Sequence, residues 1–293
     1  MRDPDEACLY AAIEAPRERH DELLRELVAP MLRAVRESPE LDSLFFVRYA
    51  DPVWQLRVRI LGRPAWIRDE VRPRVERALE PFRARGAIQG VAFGEYLREW
   101  ERYGGPEGMR IAEQIFTHDS LACLGFLEAE ARGECARSRR EWSLAFVEDF
   151  LELLDLTDAG RAAFYRTGHE WAFREGIFEE ADRDRLESRY HALRPGLESL
   201  RSACRGGNTA RAYGGEAPAR IARTCLEAMR PLIMRVRRGW ASGSITEPPA
   251  QLAWSYTHMH CNRLGLDLPA EAILRYLMWR FYQDESRVPA SGA

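Results

Sequence analysis

The spacing of apolar residues changes once along this chain, near residue 105. Before that point, short runs of alternating apolar and polar residues are interspersed with segments whose apolar residues recur every three to four positions. From Pro106 onward nearly every segment has the longer, helical spacing. Strands are therefore expected only in the first part of the chain. The spacing predicts an α+β fold that is predominantly helical.

Six elements are expected before residue 105, in the order βαββαβ. The predicted strands are 8–15, 44–50, 54–61 and 88–97, and the predicted helical segments are 15–38, interrupted near Pro30, and 64–84, which begins at Pro64. This order is that of a ferredoxin-like unit with a split βαβ arrangement. We therefore expect a ferredoxin-like unit over 1–104 and a helical portion over 105–293, which together form one compact domain.

The rest of the chain is expected to consist of helices joined by glycine-rich loops. The predicted helices are 106–131, 138–156, 158–173, 177–203, 216–238 and 269–283. Loops are expected at 206–208, 214–215 and 242–249, where glycine, serine and proline interrupt the pattern. The last six residues, VPASGA, are expected to be a frayed tail.

Composition excludes several classes of protein. Hydrophobic residues make up 46% of the 293, which is enough to bury a core and too many for a disordered chain. The 43 basic residues, all arginine, face 46 acidic ones, whereas a nucleic-acid-binding protein normally has a basic excess. No apolar run approaches the ~18–20 residues that a membrane span requires, and the start lacks a basic leader. We expect a cytoplasmic protein with no direct contact to nucleic acid or membrane.

Common catalytic and metal-binding motifs are missing. The sequence contains no GxGxxG after a strand, no GxxxxGK[ST] and no GxSxG. Its six cysteines form no CxxC pair, and Cys123 and Cys225 lie among apolar neighbours, as core thiols do. His258 and His260 could share a metal on a strand, but on a helix their side chains diverge by about 200°. We predict neither a metal nor a cofactor.

The strand 54–61 carries two charges on one face. Arg57 and Arg59 lie next to each other there, and three aliphatic residues occupy the opposite face. On an edge strand with a solvated face, the two arginines would have no particular meaning.

Two further segments combine polar residues in an unusual way. In EYLREWERYGGP (95–106), Glu99 and Arg102 are three residues apart and could pair on one helical turn, before a permissive Gly-Gly-Pro turn. The ordinary interpretation is a surface ion pair followed by a linker. In SYTHMHCNRLGL (255–266), four polar residues interrupt an apolar pattern, which is dense for a core helix.

Taken together, these segments resemble the C-terminal elimination domain of lantibiotic dehydratases, which also occurs as a separate protein in thiopeptide-type bacteriocin pathways. The blocks that carry the resemblance are FFVRYADPVWQLRVRI (45–60), YLREWERYGGPEGMRIAEQIFTHDS (96–120) and SYTHMHCNRLG (255–265). The resemblance implies that a larger protein glutamylates Ser and Thr side chains of a precursor peptide from glutamyl-tRNA. This chain would then expel glutamate and leave dehydroalanine or dehydrobutyrine. The implied partners are that separate glutamylating protein and the precursor peptide, and a homodimer is left open.

The resemblance also implies which residues act. The expected catalytic residues are Arg57, Arg59, Glu99, Arg102 and His258, and the expected substrate-binding residues are Arg48, Tyr103, His260, Asn262 and Arg263. β-Elimination requires a base for the Cα proton, charge stabilisation at the developing enolate and help for the departing carboxylate.

Residue chemistry agrees with this set. Guanidinium forks suit carboxylates, so Arg59 and Arg102 are candidates for the glutamate pocket. His258 is a candidate for proton transfer because imidazole titrates near neutrality, with His260 as a second candidate. Glu99 either orients Arg102 or acts as a base, and the sequence leaves open which of Glu99 and His258 is base and which is acid.

One position departs from the family pattern. Where many relatives have histidine just before the Leu-Arg of the strand 54–61, this chain has Gln55, after an unusual Trp54. Glutamine does not transfer protons at neutral pH. Either that histidine is dispensable or the reaction differs in detail.

Two other functions are weighed against elimination. A thiopeptide pyridine synthase joins two dehydroalanines in a formal [4+2] cycloaddition and releases the leader peptide. A non-catalytic subunit would capture a leader peptide by strand addition at the sheet edge. Retention of the arginine, glutamate and histidine set favours elimination, because a cyclase expels no glutamate and an inactive module tolerates the loss of pocket residues.

Overall fold

The computed structural model describes residues 7–287 and contains one four-stranded sheet. Its strands are β1 (Ala7–Glu14), β2 (Leu41–Tyr49), β3 (Gln55–Gly62) and β4 (Gly90–Gly94). They lie in the order β2-β3-β1-β4, with all neighbouring pairs antiparallel. The predicted ferredoxin-like βαββαβ unit is confirmed. The last strand is shorter than the predicted 88–97, because the chain leaves the sheet after Gly94.

Two helical segments connect the strands, and each contains a π-helical turn. The helices are α1 (His20–Leu23), α2 (Ala29–Arg33), α3 (Pro64–Trp66) and α4 (Arg72–Ala84). The π turns Leu24–Val28 and Ile67–Val71 lie just before Pro30 and Pro73. A proline lacks the N–H and its ring clashes with the carbonyl four residues earlier, so a wider turn accommodates it. This turn is the interruption expected near Pro30.

Strand alternation separates an aliphatic face from a polar face. The side chains of Leu56, Val58 and Ile60 are fully buried on the face that packs against the helical connections. Their neighbours Arg57 and Arg59 are on the opposite face and are half-buried. The edge of the sheet at β2 is also covered, because outer N–H groups of this strand donate to the hydroxyls of Thr117 and Ser120.

Within the described residues, eight α-helices follow the sheet. They are α5 (Pro106–Ala131), α6 (Arg139–Leu153), α7 (Asp158–Arg174), α8 (Arg183–Arg205), α9 (Thr209–Tyr213), α10 (Glu216–Ser242), α11 (Pro249–Leu264) and α12 (Leu268–Arg287). The predicted α+β class, predominantly helical, is therefore confirmed. The predicted start of a helix at residue 177 is wrong, because Gly176 adopts a φ of 69° and a short turn at Glu180–Asp182 precedes α8. Helix α9, capped by the Asn208 side chain, was not predicted.

The chain divides into two compact units. The first contains residues 7–132 and 227–248, and the second contains 133–226 and 249–287. Helix α5 belongs to the first unit, where the Leu44 and Phe46 N–H groups of β2 donate to the hydroxyls of Thr117 and Ser120 at 3.0 and 3.3 Å. The division expected between residues 104 and 105 stays a prediction. The tail VPASGA lies outside the described residues.

A buried carboxylate connects four helices of the second unit. Glu148 of α6 accepts hydrogen bonds from the hydroxyls of Tyr165 and Tyr282, at 2.7 and 2.8 Å, and pairs with Arg201 at 2.9 Å. A buried charge is tolerated when it is paired and fully hydrogen-bonded. None of the helices within residues 7–287 combines the length and apolar character that a membrane span needs.

Candidate active site

The two arginines expected to be catalytic lie on a central strand of the sheet. Strand β3 lies between β2 and β1, so the interpretation as a solvated edge strand is wrong. The register places Arg59 opposite Tyr10 on β1 and Phe45 on β2. Because residues two apart share a face, Arg57 projects on the same side.

Arg59 is surrounded by aromatic rings. Its guanidinium carbon lies 4.7 Å from the ring centre of Tyr96 and 5.3 Å from those of Tyr10 and Phe45. Its buried Nε has no hydrogen-bond partner among residues 7–287, and no carboxylate in that range forms an ion pair with it. Burial lowers the pKa of Arg59 from its ordinary value. The side chain is a cation held by π faces, with donors available for an anionic ligand.

Arg57 is oriented by its neighbours on the hairpin. Its guanidinium carbon lies 3.2 Å from the ring centre of Tyr49, and its Nε donates to Oε1 of Gln55 at 3.2 Å. The amide nitrogen of Gln55 donates in turn to the Asp51 carbonyl at 3.2 Å. Gln55, which replaces the usual histidine, therefore positions Arg57 and the turn between β2 and β3.

Glu99 and Arg102 form the ion pair that their spacing predicts. Arg102 Nη1 lies 2.9 Å from Glu99 Oε2, and the two side chains are 35% and 60% exposed. The pair precedes a tight turn in which Gly104 has a φ of 76°, and a Cβ there would lie 2.6 Å from a side-chain carbon of Ile245. Glycine is required at this turn for both reasons.

A second Arg–Glu pair in the same segment was not anticipated. Arg98 donates to both carboxylate oxygens of Glu113 on α5, at 2.7 and 2.9 Å, and both side chains are largely buried. Tyr96 also hydrogen-bonds Glu113, and burial together with that carboxylate raises the pKa of Tyr96. Glu113 thus fixes the ring that lies beside Arg59. Its partners are 15 and 17 residues away, a separation that no local sequence pattern reveals.

Arg48 and Tyr103, both expected to bind substrate, are placed differently. Arg48 lies opposite Leu56 in the register, so it projects from the aliphatic face, away from Arg57. Its buried guanidinium pairs with Asp21 of α1 at 2.7 Å. Tyr103 is buried and packs edge-to-face on Phe116. The structure gives both a structural role, and their binding of substrate stays a prediction.

In the second unit, His258 is held by a buried carboxylate. Its Nδ1 lies 2.8 Å from Oε2 of Glu271 on α12, and the two side chains are 30% and 5% exposed. Burial acts to raise the pKa of Glu271, but the charge of Arg275 and hydrogen bonds from His258 and Arg275 outweigh it and lower that pKa. Glu271 is therefore ionised and positioned beside the imidazole.

Arg275 completes this cluster. It pairs with the other oxygen of Glu271, and its guanidinium carbon lies 3.5 Å from the ring centre of Trp254. Its Nη2 also donates to Thr257 Oγ1 at 3.4 Å. Arg275 and Glu271 line a small cavity that also includes Ser143, with room for on the order of one or two waters. The Glu271–Arg275 pair was missed because neither residue lies in the 255–266 segment.

His260 and Arg263 of α11 are more deeply buried than His258. The His260 ring stacks on Phe146 and Trp142 of α6, with ring centres 4.3 and 5.6 Å apart. His258 meets α12 instead, as expected for residues two apart on a helix. Arg263 is fully buried, and Asn262 is half-buried. Substrate binding by His260, Asn262 and Arg263 stays a prediction, as does the convergence of His258 with the arginines of the first unit.

Comparison with known proteins identifies the family. The sequence profile of the family described as "Lantibiotic biosynthesis dehydratase C-term" matches residues 9–282. The chain therefore belongs to this family, as its three sequence blocks indicated. A curated relative is the subtilin biosynthesis protein SpaB of Bacillus subtilis, which is 28% identical over 154 residues, covering 53% of this chain and 15% of SpaB.

Three solved structures share the fold. The tRNA-dependent lantibiotic dehydratase MibB from Microbispora sp. 107891 matches with a TM-score of 0.67 and 21% identity, over 98% of this chain and 29% of MibB. TsrL matches with a TM-score of 0.64 and 22% identity, over 97% of each chain. The pyridine synthase TbtD from thiomuracin biosynthesis matches with a TM-score of 0.68 and 16% identity, over 94% of this chain and 98% of TbtD. This chain therefore spans a small part of SpaB and MibB and nearly all of TsrL and TbtD.

Proposed function

We propose that this protein eliminates glutamate from glutamylated Ser or Thr side chains of a precursor peptide. The observation that carries the proposal is Arg59, a half-buried cation in an aromatic cage, whose buried Nε has no hydrogen-bond partner and which has no acidic partner among the described residues. A cation left without a protein carboxylate is suited to the carboxylate of a ligand. Family membership supplies the context of lantibiotic dehydration.

The proposed reaction assigns one task to each group. Nε2 of His258 takes the Cα proton, the Cα–Cβ double bond forms, and the bond from Cβ to the glutamyl oxygen breaks, so that glutamate leaves with the electron pair. Arg57 stabilises the negative charge that develops on the enolate oxygen. Arg59 and Arg102 bind the carboxylates of the leaving glutamate. Glu99 orients Arg102 through their ion pair.

The glutamylating protein and the precursor peptide are proposed partners. In this proposal, glutamyl transfer from tRNA is the task of the glutamylating protein, and this chain performs the elimination. The net charge of −3 agrees with a chain that does not itself bind tRNA.

Pyridine formation is the second candidate. It is favoured by the match of this chain to nearly the full length of the pyridine synthase TbtD. Arg59, which pairs with no carboxylate within residues 7–287, favours elimination, because a cycloaddition between two dehydroalanines releases no glutamate that would need a guanidinium.

A mass-spectrometric assay separates the two functions. Purified protein is incubated with a precursor peptide that carries glutamylated serine. Loss of glutamate with formation of a dehydro residue supports elimination. A second reaction uses a peptide that already contains two dehydroalanines. Release of the leader together with a ring-closed core peptide in that reaction supports pyridine formation.

Variants test the assignment of roles. Arg102→Ala and His258→Ala should each leave glutamylated peptide to accumulate, because one removes a carboxylate ligand and the other removes the base. Arg33→Ala is the matched control, since it deletes an arginine of the first unit whose ion pair with Glu128 lies elsewhere. Turnover by both site variants at the rate of this control contradicts the roles assigned to them.

A further inference from the structure

The two ring nitrogens of His258 are in different situations. Nδ1 is hydrogen-bonded to Glu271 Oε2 at 2.8 Å, whereas Nε2 has no hydrogen-bond partner between residues 7 and 287. An ionised carboxylate oxygen can only accept, so Nδ1 must carry the hydrogen of a neutral imidazole. Nε2 then presents its lone pair, which is the state that a general base needs.

The carboxylate that imposes this state is itself fixed from two sides. Arg275 pairs with the second oxygen of Glu271 from one helical turn away on α12. The guanidinium carbon of Arg275 lies 3.5 Å from the ring centre of Trp254, and its Nη2 donates to Thr257 Oγ1; both partners are on α11. The cluster therefore joins α11 and α12 around one buried carboxylate, and the charges acting on Glu271 come from Arg275 and His258.

We infer that Glu271, held in place by Arg275, is the positioning residue that fixes the Nδ1–H tautomer of His258 and keeps Nε2 available as the proton acceptor. The consequence for glutamate elimination rests on the proposed function. The tautomer is a property of the protein alone. After proton transfer, Glu271 also faces the imidazolium as its counter-charge, and the proton passes from Nε2 to solvent.

Glu271→Gln is a near-isosteric substitution that tests this inference. Arg275 dictates how the new amide is oriented. The amide oxygen accepts from Arg275, which leaves the NH₂ group directed at Nδ1 of His258. A donor at that position requires Nδ1 to accept, so the hydrogen moves to Nε2 and the lone pair needed for proton abstraction is lost.

The first experiment reads the tautomer directly. Protein labelled with ¹⁵N-histidine is examined by long-range ¹H–¹⁵N correlation, with His258→Gln to assign the signal. We expect the Nδ1–H tautomer in the wild-type protein and the Nε2–H tautomer in Glu271→Gln. An Nε2–H tautomer in the wild-type protein overturns the inference, even if the variant fails to fold.

The second experiment measures kinetics on the glutamylated peptide. In Glu271→Gln we expect kcat to fall about 100-fold, with KM changed less than about threefold, because the base and not the binding site is altered. Glu187→Gln is the matched control, since it removes an ion pair from Arg280 on the same helix and does not touch His258. The control should retain both the tautomer and kcat.

The outcomes separate this inference from the proposed function. A Glu271→Gln variant that keeps the Nδ1–H tautomer, or keeps kcat within threefold of an active wild-type protein, overturns the inference. A wild-type protein with the expected tautomer but no glutamate release contradicts the proposed function and leaves the positioning of His258 supported.

Discussion

Arg59 in the first unit and Arg275 in the second both lie against aromatic rings, but they differ in their anions. Arg275 pairs with Glu271, whose other oxygen holds His258. Arg59 has rings on three sides and, within the described part of the chain, no carboxylate. The comparison shows that an arginine packed on aromatic rings can serve two purposes. One guanidinium neutralises a group of the protein, and the other is available to a ligand.

The difference predicts opposite effects on stability. Removing Arg275 leaves a charged carboxylate buried without its partner, which is costly. Removing Arg59 leaves no unpaired carboxylate behind and relieves the partial desolvation of a half-buried cation. The predictions below test this contrast, beginning with the largest effect.

Arg275→Met should lower the free energy of unfolding by about 3–5 kcal/mol, because Glu271 then remains buried without its guanidinium partner. Urea denaturation followed by circular dichroism measures the loss. The double variant Glu271→Gln with Arg275→Met should recover most of it, because no buried charge remains. A single-variant loss below about 1 kcal/mol would mean that Arg275 does not neutralise Glu271.

Arg59→Met should reduce kcat/KM for glutamate elimination by about 100-fold or more, as expected for the loss of a donor to developing charge. Its free energy of unfolding should stay within about 1 kcal/mol of the wild-type value or rise, because no ion pair is broken. The mass-based assay and urea denaturation measure the two quantities. A stability loss as large as that of Arg275→Met would show that Arg59 has a protein anion as its partner.

Tyr96→Phe should lower the free energy of unfolding by about 1.5 kcal/mol, because Glu113 loses a hydrogen bond in a buried site. The aromatic face toward Arg59 is retained, so elimination should change less than about fivefold. Thermal and urea unfolding, together with the elimination assay, test both statements. A loss of activity comparable to that of Arg59→Met would instead assign the hydroxyl to the reaction.

Glu99→Gln should have the smallest effect on stability, below about 1 kcal/mol, because its ion pair with Arg102 is exposed. Glu113→Gln is the internal comparison, since it weakens a buried bidentate pair in the same segment and should cost more. Equal costs in urea denaturation would contradict the distinction between the two pairs. If elimination falls in Glu99→Gln while stability does not, Glu99 orients Arg102 for substrate.

Local patterns in the sequence predicted most of the elements and the contacts within one turn, but not helices α9 and α11. The βαββαβ order follows because segments with a strand-like period of two alternate with segments of helical spacing. The bounds of α5 were predicted without error. The Glu99–Arg102 pair follows from a spacing of three residues. The separation of His258 from His260 likewise follows from helical geometry once the segment is known to be helical.

Tertiary structure alone decided what surrounds each charged side chain. The rings around Arg59 come from β1, β2 and the segment after β4, and the carboxylate of His258 comes from the next helix. Periodicity specifies which face a side chain occupies, but not which distant residue meets it there. The identity of that distant residue depends on strand order and helix packing, and these are determined by many weak contacts throughout the unit. The sequence therefore determined which residues are candidates, and the packing decided which cation keeps a protein partner and which remains available.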